Sequence, residues 1–182
     1  MIKAARLAAA TCVLAGLWSC GDSDHSVEVL RRGLAGEPAS LDPGAAADNF
    51  SFQVLQDLYE GLTIESATGE VVPGTAASWT IDPTGTEYIF HIRGNARWSN
   101  GKPVRAQDFM LAWRRVVDPS RGSQVSDDLR LIAGAAEIIA GRLRPSELGV
   151  SAPSDDVLIV KLAASAISSA DSNALSSISR LF

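Results

Sequence analysis

The sequence predicts an α+β fold in which a β-rich part is flanked by helices. Apolar and polar residues alternate over residues 87–93, which predicts a strand with one buried face. Apolar residues recur at helical spacing over residues 106–117, which predicts an amphipathic helix. The chain has 182 residues, of which 46% are hydrophobic and 20% charged, so it is long enough and apolar enough to bury a core.

The N-terminus has the pattern of an export signal. Lys3 and Arg6 give a short basic region, and the twelve residues 7–18 that follow are almost wholly apolar or small. Such a run is too short to span a bilayer as a helix but is typical of a signal peptide. The sequence therefore predicts an exported protein of the periplasm or cell envelope.

Cys20 predicts a lipid anchor at the end of this signal. It follows a small residue and precedes a polar stretch, as in the cleavage box of bacterial lipoproteins, although Trp18 stands where that pattern has a small residue. We predict a lipoprotein-type signal peptide over residues 1–19, lipidation of Cys20, membrane contact through that lipid, and a tether over residues 20–28. An ordinary secretory signal cleaved nearby is the alternative.

The residue types that common catalytic and metal sites need are scarce. The only cysteines are Cys12 and Cys20, so the exported part has no disulfide and no thiolate metal site. The only histidines, His25 and His91, are isolated, which disfavours a zinc site or a cysteine–histidine pair. No phosphate-loop, dinucleotide-binding or Gly-x-Ser-x-Gly motif occurs, and the formal net charge of −5 does not favour nucleic acid. We predict a protein that is not an enzyme, with no cofactor, no metal and no nucleic-acid partner.

The first helix is predicted after a strand and two proline-containing turns. The strand is expected over residues 27–34. Asp48, Asn49 or Ser51 has the side chain to cap a following helix, and Gly61 is suited to end it. The expected apolar stripe of this helix consists of Phe52, Leu55, Leu58, Tyr59 and Leu62.

Short β-like segments follow the first helix. Residues 63–65 and 70–72 flank one turn, and residues 79–81 and 87–93 flank a stronger turn made by Asp-Pro-Thr-Gly. His91 is expected to point outward into solvent, which favours a structural over a catalytic role. The face expected to be buried carries Tyr88, Phe90 and Ile92.

The second half of the chain predicts further helices and one more strand. The helix over residues 106–117 is expected to end at Asp-Pro, and a helix over residues 129–139 and a strand over residues 157–162 follow it. Residues 163–182 contain seven serines and no clear pattern, so we predict a loose or aberrant tail there. The tryptophans expected in the core are Trp79, Trp98 and Trp113.

Most of the exported chain carries motifs in the order that a known family has them. The runs 88–93, 95–104 and 106–109 resemble the signature of the extracytoplasmic solute-binding proteins of family 5, which include the oligopeptide- and dipeptide-binding proteins of ABC importers. The resemblance covers residues 29–162, which we assign to the N-terminal part of such a protein. Shorter matching runs lie at 37–43, 58–62, 73–79, 138–141 and 148–150.

The resemblance implies a bilobal periplasmic-binding-protein fold, of which this chain has a β-rich lobe portion with flanking helices. In that family two lobes close over an extended peptide, which is held by main-chain hydrogen bonds that do not depend on its sequence. The loaded receptor, expected to be a monomer, docks on an ABC permease in the inner membrane. The family pattern places peptide contacts at Ala46, Ala47, Asp48, Asn49, Gln124 and Val125.

The chain also departs from the family pattern. Family members are much longer and include a second lobe, so we predict an incomplete copy that binds peptides weakly or not at all. No aromatic residue stands at 124–125, where the family has one against the ligand, and Arg105 replaces a helix-capping threonine. The alternatives are a receptor of the same family for a dipeptide, a nickel chelate, haem or a murein peptide, or a lipid-anchored structural or regulatory domain.

Overall fold

The computed structural model describes residues 31–165. The chain divides into two compact units, residues 1–33 and 34–182, and all the described helices and strands lie in the second. The predicted signal peptide, Cys20, the tether and most of the predicted tail lie outside the described residues. The strand predicted over residues 27–34 is wrong for its described part, because residues 31–34 have no regular secondary structure and 31–33 are exposed. Within the described range, no helix is both long and apolar enough to cross a bilayer.

The first helix, α1, spans Asn49–Leu58. Asp48 caps its start, which confirms one of the three predicted caps. The Asp48 carboxylate accepts hydrogen bonds from the amides of Phe50 (3.0 Å) and Ser51 (2.9 Å). The helix ends before the predicted Gly61, because the backbone is already extended at the residue that follows Leu58.

Only part of the predicted apolar stripe of α1 is buried. Leu55 and Leu62 are 0% exposed, whereas Leu58 is 60% exposed and Tyr59 is 36% exposed. Leu58 is the last helical residue, and the change to an extended backbone at Tyr59 takes the chain off the helical face. The prediction of a continuous buried stripe is therefore wrong at these two residues.

The described residues form six strands in two antiparallel sheets. Thr63–Glu65 (β1) and Val71–Pro73 (β2) make a two-stranded sheet. The larger sheet contains Ala76–Ile81 (β3), Glu87–Ile92 (β4), Val150–Ser154 (β5) and Val157–Lys161 (β6). Its strand order is β3-β4-β6-β5, so the chain returns after β4 to place β6 beside it.

Strand β4 has one buried face, as predicted. Tyr88 and Phe90 are 0% exposed, while His91 on the opposite face is exposed. Phe90 pairs with Trp79 in β3 and with Leu158 in β6. The apolar face therefore continues across the middle of the sheet.

Strand β5 is not predicted by the sequence. Its Pro153 and the polar residues around it are typical of a turn, and a proline cannot donate to a sheet ladder. The strand lies at the edge of the sheet, where one side needs no partner. Val150 is 3% exposed and anchors the strand in the core.

Helix α2 spans Ala106–Val117, which are the predicted bounds, and it packs against β5 and β6. Trp113 is 0% exposed and Phe109 is 6% exposed, so the predicted apolar stripe faces the sheet. The helix ends at Asp118 before Pro119, as predicted. This packing forms the main part of the core.

The helix predicted over residues 129–139 is only partly formed. Ser126–Leu129 makes a 3-10 turn, and helix α3 spans Ala135–Ile139. Gly134 lies between them with a φ of 81°, a left-handed conformation that interrupts an α-helix. Two further 3-10 turns span Pro119–Arg121 and Pro145–Glu147.

The tryptophans differ in burial. Trp113 is buried as predicted and Trp79 is half-buried, but Trp98 is 41% exposed. Trp98 lies in the loop between β4 and α2, and its indole Nε1 donates to the Asp108 carboxylate at 3.1 Å. This hydrogen bond holds the ring beside a charged group at the surface, so the prediction of a core position for Trp98 is wrong.

Arg105 occupies the N-cap of α2 without capping it, because a guanidinium cannot accept a hydrogen bond. Its own amide donates to Asp108 at 3.0 Å, and its guanidinium lies 3.4 Å from Asp155 in a pair exposed on both sides. We expect Arg105→Thr to raise the free energy of unfolding by about 1 kcal/mol, less the small contribution of that pair. Urea denaturation followed by circular dichroism measures the change.

Arg105→Val is the matched control for this substitution. Valine has the shape of threonine without the hydroxyl, so it loses the ion pair without gaining a cap. Equal stabilities of the threonine and valine variants would contradict the capping explanation.

Gly74 lies where the chain passes close to itself. A Cβ on Gly74 would stand 2.7 Å from the carbonyl oxygen of Gly61 and 3.2 Å from that of Leu62. Because a backbone carbonyl cannot swing aside, we expect Gly74→Ala to lower the free energy of unfolding by about 1–3 kcal/mol. Gly94→Ala is the control, since nothing lies within 4 Å of its Cβ position. If the two variants had the same melting temperature, the close approach would not matter to stability.

Candidate ligand-facing surface

The two segments predicted to contact a peptide lie side by side. The hydroxyl of Ser123 donates to the carbonyl oxygen of Gly44 at 2.6 Å and so joins parts of the chain that are 79 residues apart. We call residues 44–49 and 123–125 together the two-loop surface. The structure therefore brings the two sequence-predicted groups together.

The first loop is built by a tight turn at its start. The carbonyl of Asp42 accepts from the amides of Ala45 and Ala46, both at 3.0 Å, and its carboxylate accepts from the amide of Gly44 at 3.0 Å. The carboxylate also pairs with the guanidinium of Arg115 in α2. The hydrogen bond from Arg115 holds the pKa of Asp42 below its ordinary value, so the pair stays charged at neutral pH.

The predicted contact residues divide into a buried and an accessible group. Ala46 is 0% exposed and Val125 is 7% exposed, and both pack into the interior. Ala47, Asn49 and Gln124 are exposed. Among the predicted contact residues, the side chains available to a ligand are therefore a methyl group and two amides, while the buried pair fixes the position of the backbone.

Asp48 is half-buried, and its carboxylate is committed to the start of α1. One oxygen accepts from the amides of Phe50 and Ser51, and the other accepts from the hydroxyl of Ser51. The hydroxyl of Ser51 and then its amide hold the pKa of Asp48 below its ordinary value, so this carboxylate is ionised at neutral pH. Ser51 is itself buried and accepts from the amide of Ser40 at 3.1 Å, which ties the preceding segment to the helix.

A second surface, which the sequence does not predict, surrounds Trp98. Tyr59 and Trp98 line two hollows of about 260 and 450 Å³. The smaller hollow opens towards Pro43 and α2, and the larger one includes Leu58 and Arg93. We call the exposed side chains of Leu58, Tyr59 and Trp98 the Trp98 face.

The groups around these surfaces are suited to binding. Asn49 and Gln124 offer amide donors and acceptors, and the loops offer backbone groups. In the part of the chain that the structure describes, no three histidine, cysteine, aspartate or glutamate side chains are placed to hold a metal ion.

The contacts that position the two-loop surface are invisible to local sequence patterns. The Asp42–Arg115 pair spans 73 residues and the Ser123–Gly44 hydrogen bond spans 79. The only available signal is the family pattern, which indicates both segments without showing that they touch.

Comparison with known proteins assigns the chain to a family. The profile of the bacterial extracellular solute-binding proteins, family 5 (middle), matches residues 70–179, which is more than half of the chain. The match runs beyond residue 162, so the similarity includes most of the serine-rich segment 163–182.

Curated relatives agree with this match. The chain is 41% identical over 135 residues to the periplasmic murein peptide-binding protein MppA of Escherichia coli, covering 73% of this chain and 25% of that protein. It is 39% identical over 137 residues to the probable deoxycholate-binding periplasmic protein YgiS of Escherichia coli, covering 74% and 26%. It is 36% identical over 159 residues to the oligopeptide-binding protein OppA of Bacillus subtilis, covering 86% and 29%.

Solved structures share the fold. The Escherichia coli murein tripeptide-binding protein MppA superposes with a TM-score of 0.67 at 41% identity, covering 70% of this chain and 25% of that chain. Burkholderia pseudomallei OppA gives a TM-score of 0.71 at 35% identity, covering 78% and 28%.

The chain spans about a quarter of the length of the relatives it matches. The chain has helices and antiparallel sheets and superposes on part of these periplasmic binding proteins, which confirms the predicted α+β fold class. The profile match and the identities confirm the predicted family as well. This chain belongs to the bacterial extracellular solute-binding proteins of family 5.

Proposed function

We propose that the chain is part of the substrate-binding component of an ABC peptide importer, which captures oligopeptides outside the cytoplasm and delivers them to a membrane permease. The proposal rests on the family assignment and on relatives that are named for binding oligopeptides or murein peptides. One observation carries it to particular residues. The Ser123–Gly44 hydrogen bond joins the two loops that the family pattern assigns to peptide contact.

The two-loop surface suits recognition of a peptide backbone. Its exposed side chains are small or carry neutral amides, so a ligand backbone can approach closely and exchange hydrogen bonds that do not depend on its side chains. The buried side chains of Ala46 and Val125 restrict loop motion, which reduces the ordering cost of binding. Such a surface gives a ligand one wall, and affinity is low when the other side of the ligand stays solvated.

The ligand class is part of the proposal. We favour peptides because OppA and MppA are named for them, while the name of YgiS, at similar identity, indicates deoxycholate. Deoxycholate joins the other ligands that remain open within this family, which are a dipeptide, a nickel chelate, haem and a murein peptide. A lipid-anchored structural or regulatory role remains the alternative outside transport.

Export and anchoring complete the proposal. The basic and apolar start of the chain supports export to the periplasm, and the residues around Cys20 support a lipid anchor there. We further propose that the protein is a monomer, that its partner is an ABC permease of the inner membrane, and that it binds without catalysis. Several relatives have names that place them in the periplasm, which supports the location.

A titration of the ¹⁵N-labelled chain with trialanine tests the two-loop surface. We expect amide shifts in fast exchange, largest at residues 45–49 and 123–125, with an affinity weaker than micromolar because one wall cannot desolvate the peptide. Absence of shifts at millimolar peptide, or shifts centred elsewhere, would contradict the assignment. A micromolar affinity would contradict the weak binding that we expect when the peptide is contacted on one side only. Equal shifts with deoxycholate would favour deoxycholate as the ligand.

Ser123→Ala removes the hydrogen bond between the two loops and so tests the role of this contact. We expect it to reduce the trialanine shifts at residues 45–49 and to lower the free energy of unfolding by about 0.5–1.5 kcal/mol, since one hydrogen bond is removed. Ser146→Ala, at an exposed serine in the 3-10 turn Pro145–Glu147, should change neither quantity.

Metabolic labelling with a radioactive fatty acid in a bacterial host tests the anchor. We expect the chain to be labelled and Cys20→Ser to abolish the label, because the thiol of Cys20 is the proposed acceptor. Cys12→Ser is the control and should keep the label, since Cys12 lies inside the proposed signal peptide. Labelling that survives Cys20→Ser would disprove the anchor without touching the peptide proposal.

A further inference from the structure

The loop between β4 and α2 carries the dipeptide Asn100–Gly101 at its tip. The loop folds back as a tight hairpin, because the amide of Trp98 donates to the carbonyl oxygen of Lys102 at 2.8 Å. The amide of Gly101 donates to the carbonyl oxygen of Trp98, also at 2.8 Å, and closes the turn. Asn100 and Gly101 are both exposed, so water and hydroxide ion reach them.

We propose that Asn100 is a site of spontaneous covalent modification, at which its side-chain amide cyclises onto the nitrogen of Gly101 and is then hydrolysed to aspartate and isoaspartate. The inference rests on the chemistry and geometry of the hairpin tip. It depends neither on the family of the chain nor on its ligand.

The reaction consumes only water. The nitrogen of Gly101 loses its proton to hydroxide and forms a bond to Cγ of Asn100. The bond from Cγ to the side-chain nitrogen then breaks, and that nitrogen takes up a proton and leaves as ammonia. The product is a succinimide ring, which water opens at either of its carbonyl carbons. Opening at the main-chain carbonyl gives isoaspartate, and opening at the side-chain carbonyl gives aspartate.

The side chain of Asn100 is held beside the peptide group with which it reacts. Its Oδ1 accepts from the amide of Lys102 at 3.0 Å, and this hydrogen bond closes a ring that contains the nitrogen of Gly101. The amide of Lys102 also stabilises the negative charge that develops on Oδ1 when Cγ is attacked. The turn therefore both orients and activates the carboxamide.

Gly101 leaves its nitrogen accessible to Cγ. It has no side chain to shield the nitrogen, and its φ of 81° is a conformation that favours glycine. The hydrogen bond from its amide to Trp98 opposes loss of the amide proton, so the reaction proceeds when the exposed tip opens locally.

Two other described asparagines lack this arrangement. Oδ1 of Asn95 accepts from the guanidinium of Arg93 at 3.3 Å, and the methyl group of Ala96 lies beside the nitrogen that follows. Asn49 is the first residue of α1 and is followed by Phe50, whose side chain is larger still. Asn95 is exposed in the same loop and is therefore an internal reference for Asn100.

The modification changes both the charge and the length of the loop. Either product carries a carboxylate where the neutral amide of Asn100 stood. Isoaspartate also adds a methylene group to the main chain between residue 100 and Gly101. A modified chain therefore differs from the original beside Trp98, which lies in the same hairpin.

Tryptic mapping of the aged 182-residue chain tests the proposal. Trypsin cuts after arginine and lysine but not before proline, so it releases residues 94–97 with Asn95 and residues 98–105 with Asn100 as separate fragments. The folded chain is incubated in mildly alkaline buffer, and mass spectrometry follows the fraction of each fragment in which an amide has become a carboxylate.

We expect fragment 98–105 to convert at least about tenfold faster than fragment 94–97, which corresponds to a barrier lower by at least about 1.4 kcal/mol. Chromatography of the converted fragment should resolve isoaspartate from aspartate. Equal rates for the two fragments would overturn the proposal. Aspartate without isoaspartate would overturn it as well, because direct hydrolysis of the amide gives aspartate alone.

Gly101→Ala tests the access of the nitrogen. A Cβ at this position meets no other group within 4 Å, so we expect the methyl group to slow conversion of fragment 98–105 at least about tenfold through its hindrance of the nitrogen. Gly141→Ala is the matched control, since Gly141 has a φ of 74°, has nothing within 4 Å of its Cβ position and follows an alanine. We expect it to leave the rate unchanged, and equal slowing by both variants would contradict the role of Gly101.

Asn100→Gln decides the question if Gly101→Ala fails to fold by circular dichroism. The longer side chain of glutamine keeps the neutral amide but has to close a larger ring, so conversion of fragment 98–105 should be lost. Ion-exchange chromatography of the intact chain should show an acidic form that accumulates in the parent and not in this variant. Equal accumulation of the acidic form in both proteins would place the modification elsewhere and overturn the proposal.

Discussion

The packing of α2 against one face of the four-stranded sheet is the interaction on which the rest of the structure depends. Trp113 is fully buried in it, together with Tyr88 and Phe90 of β4. A buried tryptophan removes about 150–250 Å² from water, so this contact supplies a large part of the apolar burial. It requires β6 to return beside β4, and that pairing encloses residues 93–156, which include α2 and the loops on either side of it.

Both candidate surfaces are consequences of this arrangement. The Asp42–Arg115 pair fixes the first loop to the solvent side of α2, and Ser123 reaches the same loop from the segment that follows the helix. Trp98 lies in the segment before α2 and is held by Asp108 in its first turn. The two surfaces therefore take their positions from one helix whose other face is in the core.

The two surfaces differ in chemistry. The two-loop surface offers small side chains and amides, which the proposed function uses to bind a peptide backbone. The Trp98 face offers Leu58, Tyr59 and the tryptophan ring, which are large, partly apolar and exposed. One helix therefore positions two surfaces of different chemistry.

The sequence by itself determined the elements whose patterns are local. The bounds of α2 and the buried face of β4 follow from periodicity, capping chemistry left three candidates of which Asp48 is the cap, and the motif order indicated the family. Only the tertiary structure decided that Gly44 meets Ser123, that Pro153 lies in an edge strand, and that Tyr59 and Trp98 stay exposed. Contacts between distant segments, and the burial of an apolar side chain, depend on which other elements pack over it, and spacing along a chain does not contain that information.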